Sequence, residues 1–305
     1  MKRFNGKDFL SLHDYSRDEL YFLLHTAQHM KSQTRAGIFS TALRDKALGM
    51  VFQKPSLRTR VSFQVGMHQL GGTALYLSPE EIQLGKREAV KDVARVLSRY
   101  VDGIMARVFS HEDLLELAEH ASVPVINGLS DLLHPCQGLA DYLTIMERFG
   151  RLNGLTLCYV GDGNNVCHSL MLGAAKFGVR MRIACPDGYG PDESIITQAE
   201  GDGLDLTVTG DPEEGVRGAD VIYTDTWVSM GQESDRERKV RAFEGFQVNA
   251  ALTRAAADHH IVMHCLPAHR GEEITDEVMD GPHAAVYDQA ENRLHAQKAV
   301  MALLM

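Results

Sequence analysis

No stretch of the 305-residue chain is long and apolar enough to cross a bilayer, which takes about 20 consecutive apolar residues. The N-terminus, MKRFNGKDFLSLHDYS, is polar and lacks the apolar core of a signal peptide. Cysteine is sparse: Cys136, Cys158, Cys167, Cys185 and Cys265 are scattered, odd in number and without CxxC spacing. That argues against a disulfide framework or a zinc site and fits reduced thiols in a cytoplasmic protein. Positive charge is in deficit, 31 Lys and Arg against 41 Asp and Glu, for a net charge of −10. Neither a nucleic-acid surface nor an anionic membrane surface is expected, although a local basic pocket for a small anion stays open. There is no internal repeat, no Ser-His-Asp order and no metal-ligand spacing, so no metal or other cofactor is expected.

What the chain has is apolar residues, 44% of the total, and a length that suits two domains of ordinary size. Ser16 and Glu19 predict a capping box ahead of a helix with Leu20, Leu23, Leu24 and Ala27 on one face. Residues 48–52, 73–77 and 102–109 and the VPVING run then read as strands. Residues 61–70 and 91–100 and the HEDLLELAEHA run read as helices. After residue 150 the pattern restarts, with LTLCYV, VRMRIACP, LDLTVTG, DVIYTDTWV, HHIVMHCLPA and HAAVYDQA as strands. Strands alternating with helices predict parallel sheets covered on both faces. The expected fold class is α/β, two doubly wound parallel-sheet domains joined by helices, at residues 1–148 and 149–290. A last helix, about 291–305, is expected to pack back onto the first domain.

The polar residues of interest sit where strands hand over to helices. Pro55-Ser56-Leu57-Arg58-Thr59-Arg60 admits two readings. One is a turn with Ser56 as N-cap and two solvated arginines. The other is a phosphate cradle, because a helix start presents free N–H groups and the positive end of the dipole. Arg58 and Arg60 would add forked donors that suit phosphate oxygens. SPEEIQLGKREAV reads as a loop, either a solvated connection or a segment that brings Gln83, Lys86 or Arg87 to a ligand. Arg107, in an otherwise apolar strand, needs an internal ion pair or a ligand. His134-Pro135-Cys136-Gln137 opens a helix; Pro135 suits its first turn, and His134 and Gln137 can face one way. GDGNN, 161–165, starts like a dinucleotide fingerprint but has Val166 in place of the third glycine. Asn165 is there either to bind a polar ligand or to cap a helix. Asp225 ends a strand, where a carboxylate can meet a cation, and Ser229-Met230-Gly231 follows in a loop that could close over it. Cys265 is either an apolar filler or, beside Asp225, a site residue.

Together, PSLRTR, the Arg107 strand, HPCQ, DGNN, DTWVSMGQE, HCLP and ENRLHAQKA resemble the aspartate/ornithine carbamoyltransferase family, in the family's order and over almost the whole chain. DTWVSMG with HCLP resembles its ornithine branch. The resemblance implies that carbamoyl phosphate and L-ornithine give L-citrulline and phosphate, in a homotrimer with sites at subunit interfaces. It implies carbamoyl-phosphate contacts at Ser56, Leu57, Arg58, Thr59, Arg107, His134, Pro135, Cys136, Gln137, Cys265, Leu266 and Arg293, and at Gln83 on a loop that serves a neighbouring subunit. It implies ornithine contacts at Asn165, Asp225, Ser229 and Met230, and catalytic roles for Arg107, His134 and Cys265. Leu57 departs from the family's usual Thr and removes one hydroxyl donor; the backbone donors of a helix start do not depend on it.

In the implied reaction the ornithine amine, with a free pKa of about 10.4 like that of Lys, attacks in its neutral form. Asp225 is assigned to the α-ammonium, and Cys265 lies near the reacting amine. Arg107, His134 and Thr59 donate to the oxyanion, and Arg58 holds the leaving phosphate. Other acceptors within the family are N-acetylornithine, putrescine and aspartate. Outside it stand a nucleotide-dependent dehydrogenase built on GDGNN and a non-catalytic binding protein on the same scaffold. The missing third glycine and the lack of an acidic residue at the end of VRMRIACP count against the dehydrogenase.

Overall fold

The computed structural model describes Phe4, residues 6–228 and residues 233–305. The chain divides into two compact units, Met1–Leu143 with Asn292–Met305, and Thr144–Glu291. No helix of the described residues is long and apolar enough to cross a membrane.

The first unit opens with α1 (Arg17–Arg35). Ser16 caps it and Glu19 answers, in the expected capping box. Then come β1 (Ala47–Phe52), α2 (Leu57–Gln69), β2 (Thr73–Leu77), α3 (Pro79–Ile82), α4 (Val90–Leu97), β3 (Gly103–Arg107), α5 (His111–His120), β4 (Val125–Leu129) and α6 (Pro135–Phe149), which runs on into the second unit. The four strands are parallel in the order β2-β1-β3-β4. Val51, Ile104, Ala106 and Val108 pack with Val90, Val93, Leu114 and Leu117 in a buried apolar cluster.

The second unit holds β5 (Thr156–Val160), α7 (Asn165–Phe177), β6 (Arg180–Ala184), α8 (Glu193–Gly201), β7 (Leu206–Thr209), α9 (Pro212–Val216), β8 (Val221–Thr224), α10 (Arg236–Ala242), α11 (Ala250–Thr253), β9 (Ile261–His264) and α12 (Asp276–Met279). The last helix, α13 (Val286–Leu304), starts in this unit and ends in the first. The strands are parallel in the order β7-β6-β5-β8-β9. Trp227 stacks on Phe243, ring centroids 5.4 Å apart, within the apolar core.

Both sheets have the same topological feature. The chain leaves β1 for β2 on one side and returns to β3 on the other; it leaves β5 for β6 and returns to β8. At such a reversal the loops from two neighbouring strands part, and a crevice opens at their carboxyl ends. PSLRTR follows β1, and Arg107 ends β3; GDGNN follows β5, and Asp225 follows β8.

Three local readings need correction. α2 begins at Leu57, not at residue 61, because Ser56 accepts from Thr59 N–H at 3.4 Å and caps the helix there. A polar first turn carries no hydrophobic period, so the pattern showed the helix only from Val61. SPEEIQLGKREAV is not all loop: Ser78 and Glu81 form a second capping box that starts α3. HAAVYDQA is not a strand: Ala284 makes a single bridge to Val262, and α13 begins at Val286 rather than near residue 291. Val286, Gln289, Asn292, Arg293 and Ala296 are buried at helical spacing, and that packing extends the helix backward.

The glycine of GDGNN also has a packing reason. A Cβ on Gly163 would lie 2.2 Å from Pro191 N and 2.3 Å from Gly190 C, so only glycine lets that backbone pass.

Candidate active site

In the first unit, two helix starts and one strand end bring cations together. Ser56 caps α2, its hydroxyl 3.1 Å from Thr59 Oγ1, and Arg58 lies half-buried in the first turn. Arg107 closes β3 where its pairing with β4 shifts register, an irregularity of the kind that re-aims a side chain. Arg107 is 5% exposed, and its buried Nε has no hydrogen-bond partner among the described residues. Arg293, 4% exposed on α13, donates to Gln137 Oε1 at 2.7 Å and to Thr59 Oγ1 at 3.3 Å. With its amide oriented by the surrounding donors, Gln297 accepts from Arg293 Nε at 3.1 Å and donates to Ser62 at 2.6 Å. Gln137 passes the chain of bonds on to Asp141 at 2.8 Å.

These cations repel one another. Burial, then Arg293 and Arg58, push the Arg107 guanidinium down to about 10. Burial, then Arg107, bring the Lys54 ammonium down to about 8. Burial holds His134 well below the usual imidazole range, with Arg293, Arg107, Lys54 and Arg58 adding to it. His134 is therefore neutral at pH 7 and acts through hydrogen bonds rather than charge. An anion set among Lys54, Arg58, Arg107 and the α2 start would relieve this repulsion.

Not every expected residue joins this group. Leu57 is 76% exposed, so what it can offer an anion is its backbone N–H. Cys136 turns into the core, donates to Asn127 O at 3.3 Å, and is pushed up to about 12 by burial. Pro135 fills the first position of α6 and has no N–H to give. Gln83 is exposed at the end of α3, with φ 39° and its amide donating to Glu80 O at 3.1 Å. Arg60 is also exposed, its guanidinium 4.0 Å from the centroid of the Tyr76 ring. Lys54, two residues before Ser56, carries no signal in the sequence that sets it apart; it is half-buried, with Arg107 close enough to lower its pKa.

In the second unit, Asp225 is 6% exposed and accepts three hydrogen bonds. They come from Asn164 Nδ2 at 2.7 Å, Thr226 N–H at 2.8 Å and the Cys265 thiol at 2.9 Å. Asn164 precedes Asn165, the residue that the sequence marks as a cap or a ligand contact. Asn164 also caps α7 through Val166 and Cys167 N–H. Asn165 is half-buried as the first residue of that helix. Of the two readings of Asn165, the cap falls to its neighbour Asn164. Leu266 follows Cys265 with φ 61°. Ser229 and Met230 lie outside the described residues.

Asp225, His264 and Cys265 each place one ligand atom within 4.8 Å of the others, and so do His269, Glu272 and Glu273. The first set is already committed. Cys265 donates to Asp225, and His264 bonds Leu266 N–H at 2.9 Å through one ring nitrogen and Glu273 at 3.1 Å through the other. The second unit thus holds a buried carboxylate beside a thiol, an arrangement that could accept a cationic amine.

Comparison with known proteins agrees with this division. Residues 7–147 match the family model described as aspartate/ornithine carbamoyltransferase, carbamoyl-P binding domain. Residues 153–304 match the one described as aspartate/ornithine carbamoyltransferase, Asp/Orn binding domain. The chain is 56% identical over 310 residues to an ornithine carbamoyltransferase of Symbiobacterium thermophilum, with 100% of both chains covered. It is 54% identical over 304 residues to an anabolic ornithine carbamoyltransferase of Pyrococcus furiosus, covering 98% of this chain and 96% of that one. Among solved structures, the ornithine carbamoyltransferase from Pyrococcus furiosus superposes with a TM-score of 0.96 at 53% identity, over 99% of this chain and 98% of that one. The enzyme from Thermus thermophilus gives 0.89 at 46% identity, over 98% and 99%.

Two outcomes follow from the cation group. Arg107→Met removes buried repulsion, so the ligand-free protein gains about 1 kcal/mol, or roughly 2–4 °C in Tm. The same variant loses the Tm rise that inorganic phosphate gives the native protein; thermal scans with and without phosphate read both. Lys54 has a folded-state pKa below the ordinary lysine value, so its charge is lost as pH rises through about 8. Phosphate affinity then falls about tenfold above that pH, with the midpoint displaced upward when the anion is bound. Calorimetric titrations across that range on native protein and on Lys54→Met check it: the variant should show no such step.

Proposed function

The chain belongs to the aspartate/ornithine carbamoyltransferase family, and from that premise we infer that it transfers the carbamoyl group of carbamoyl phosphate to the side-chain amine of L-ornithine, releasing L-citrulline and phosphate. Family membership replaces the dehydrogenase alternative, and the packing of Gly163 gives GDGNN another reason to exist. The observation that carries the reading is the division of charge. One unit holds half-buried Lys54 and Arg58 after β1 and buried Arg107 at the end of β3, and the other holds a buried carboxylate and a half-buried thiol at the ends of β8 and β9.

In this reading the α2 start and Arg58 hold the phosphate group, with Lys54 adding a charge that sequence reasoning did not use. Arg107, neutral His134 and Thr59 donate to the carbamoyl oxygen. Arg293 keeps Thr59 and Gln137 in place through the bonds described above. Asp225 receives the α-ammonium of ornithine, with Ser229 and Met230 as further ornithine contacts. Cys265 and Leu266 border the reacting amine. The neutral amine forms the new C–N bond, the oxyanion collapses, and the C–O bond to phosphate breaks; the amine's proton leaves with the phosphate. Each donor to the oxyanion lowers the barrier by about 3 kcal/mol. Alignment of the two substrates supplies several more.

The oligomer belongs to the same proposal. Leu57, Val61 and Val65 are exposed at intervals of four on α2, and Leu75 is exposed on the edge strand β2. An apolar stripe of this kind suits burial against another copy, as a homotrimer with Gln83 reaching a neighbour's site requires. Five free cysteines are consistent with the cytoplasm.

Citrulline formation from ornithine and carbamoyl phosphate is the direct test. Asp225→Asn should raise the ornithine KM about 100-fold and leave the carbamoyl-phosphate KM near native, whereas Arg58→Ala should abolish turnover. Preference for putrescine, N-acetylornithine or aspartate as acceptor would refute the assignment. Light scattering should give about three times the 33.8 kDa chain mass, and Val61→Glu should lower it.

A further inference from the structure

A hydroxyl has one hydrogen and two lone pairs, a carbonyl oxygen only accepts, and a guanidinium only donates. These limits set the direction of the bonds behind the cradle. Ser62, in the second turn of α2, places its hydroxyl 3.2 Å from the Thr59 carbonyl, so the Ser62 hydrogen goes there. What Ser62 has left is a lone pair. Gln297, 0% exposed on α13, donates to it from the amide nitrogen at 2.6 Å. The amide oxygen of Gln297 then accepts from Arg293 Nε at 3.1 Å and Nη2 at 3.0 Å. The reverse orientation would set N–H groups against a guanidinium, which cannot accept. Arg293 and Gln297 stand one turn apart on α13 and so face the same way. Gly66, one turn beyond Ser62, lets α13 lie against α2: a Cβ there would be 2.8 Å from Met301 Cε and 3.3 Å from Lys298 Cγ.

Arg293 donates in turn to Thr59 Oγ1 at 3.3 Å and to Gln137 Oε1 at 2.7 Å. Ser56 Oγ donates to Thr59 Oγ1 at 3.1 Å. Both lone pairs of the Thr59 hydroxyl are then taken, and its hydrogen meets no acceptor among the described residues. Gln137 has its oxygen on Arg293 and one amide hydrogen on Asp141 at 2.8 Å; the other amide hydrogen is likewise unmet among the described residues. Each group is left with one hydrogen to give.

We propose that Ser62 and Gln297 are positioning residues of the cradle: they hold Arg293 as the donor to Thr59 and Gln137, so that each of these keeps its remaining hydrogen for the oxygens of carbamoyl phosphate. The inference rests on the functional reading above for the ligand, and on the bond directions alone for the two residues. Both act through Arg293.

A double-mutant cycle on the affinity for inorganic phosphate, measured by calorimetry, tests it. Gln297→Met fills similar space without an amide and should weaken phosphate binding about tenfold. In an Arg293→Met background the same change should weaken it less than about twofold, because the residue it acts through is gone. Additive effects would overturn the proposal, and so would native affinity in Gln297→Met. Ser62→Ala and Ser62→Thr give a second pair should Gln297→Met fail to fold. Loss in the first and recovery in the second are expected; equal affinities in the two overturn the proposal. In turnover, Gln297→Met should raise the KM for carbamoyl phosphate and leave that for ornithine near native; an equal rise in both is general loosening and counts against it. If the native protein makes no citrulline the functional reading falls, and the phosphate affinities still decide this one.

Discussion

Mutual repulsion among buried cations is the constraint on which the first unit is built. Arg107 and His134 lie deep in protein, with Arg58 and Lys54 close by and Arg293 behind them. Left to itself each would move toward water. β3 fixes Arg107 by its backbone, α6 fixes His134 at its first turn, and three neutral oxygens hold Arg293. The scaffold thus keeps like charges close together, and an anion bound among them would offset their repulsion.

The second unit applies the opposite sign with the same topology. Asp225 stands at the reversal between β5 and β8 as Arg107 stands at the one between β1 and β3. Its charge is met by an amide, a backbone N–H and a thiol rather than by a cation. These three donors hold the carboxylate in place. A second buried acid of this unit, Glu273, lies 3.1 Å from His264 Nε2.

Much of this was legible in the chain. Alternating apolar runs predicted two parallel sheets, and the polar residues at strand ends marked both crevices. What stayed hidden has physical causes. The start of α2 is polar, so periodicity could not find it, although Ser56 was a fair cap. α13 was read short because its first turn follows an apolar run that passes for a strand. Asn164 and Asn165 are adjacent, and no one-dimensional pattern says which side chain turns toward Asp225. Lys54 and Glu273 look like ordinary surface residues until burial is known. Cys136 shows the reverse: it lies in a telling motif yet faces the core.

The return of α13 to the first unit also orders events during synthesis. Arg293 meets Thr59 across 234 positions of sequence, with the whole second unit made in between. Contacts of such separation form late. A nascent chain on the ribosome can pair β1 with β2 and β3 and bury their apolar faces, but Thr59 and Gln137 must wait for their guanidinium. The bonds that Arg293 makes in the first unit can therefore form only after the second unit has been translated.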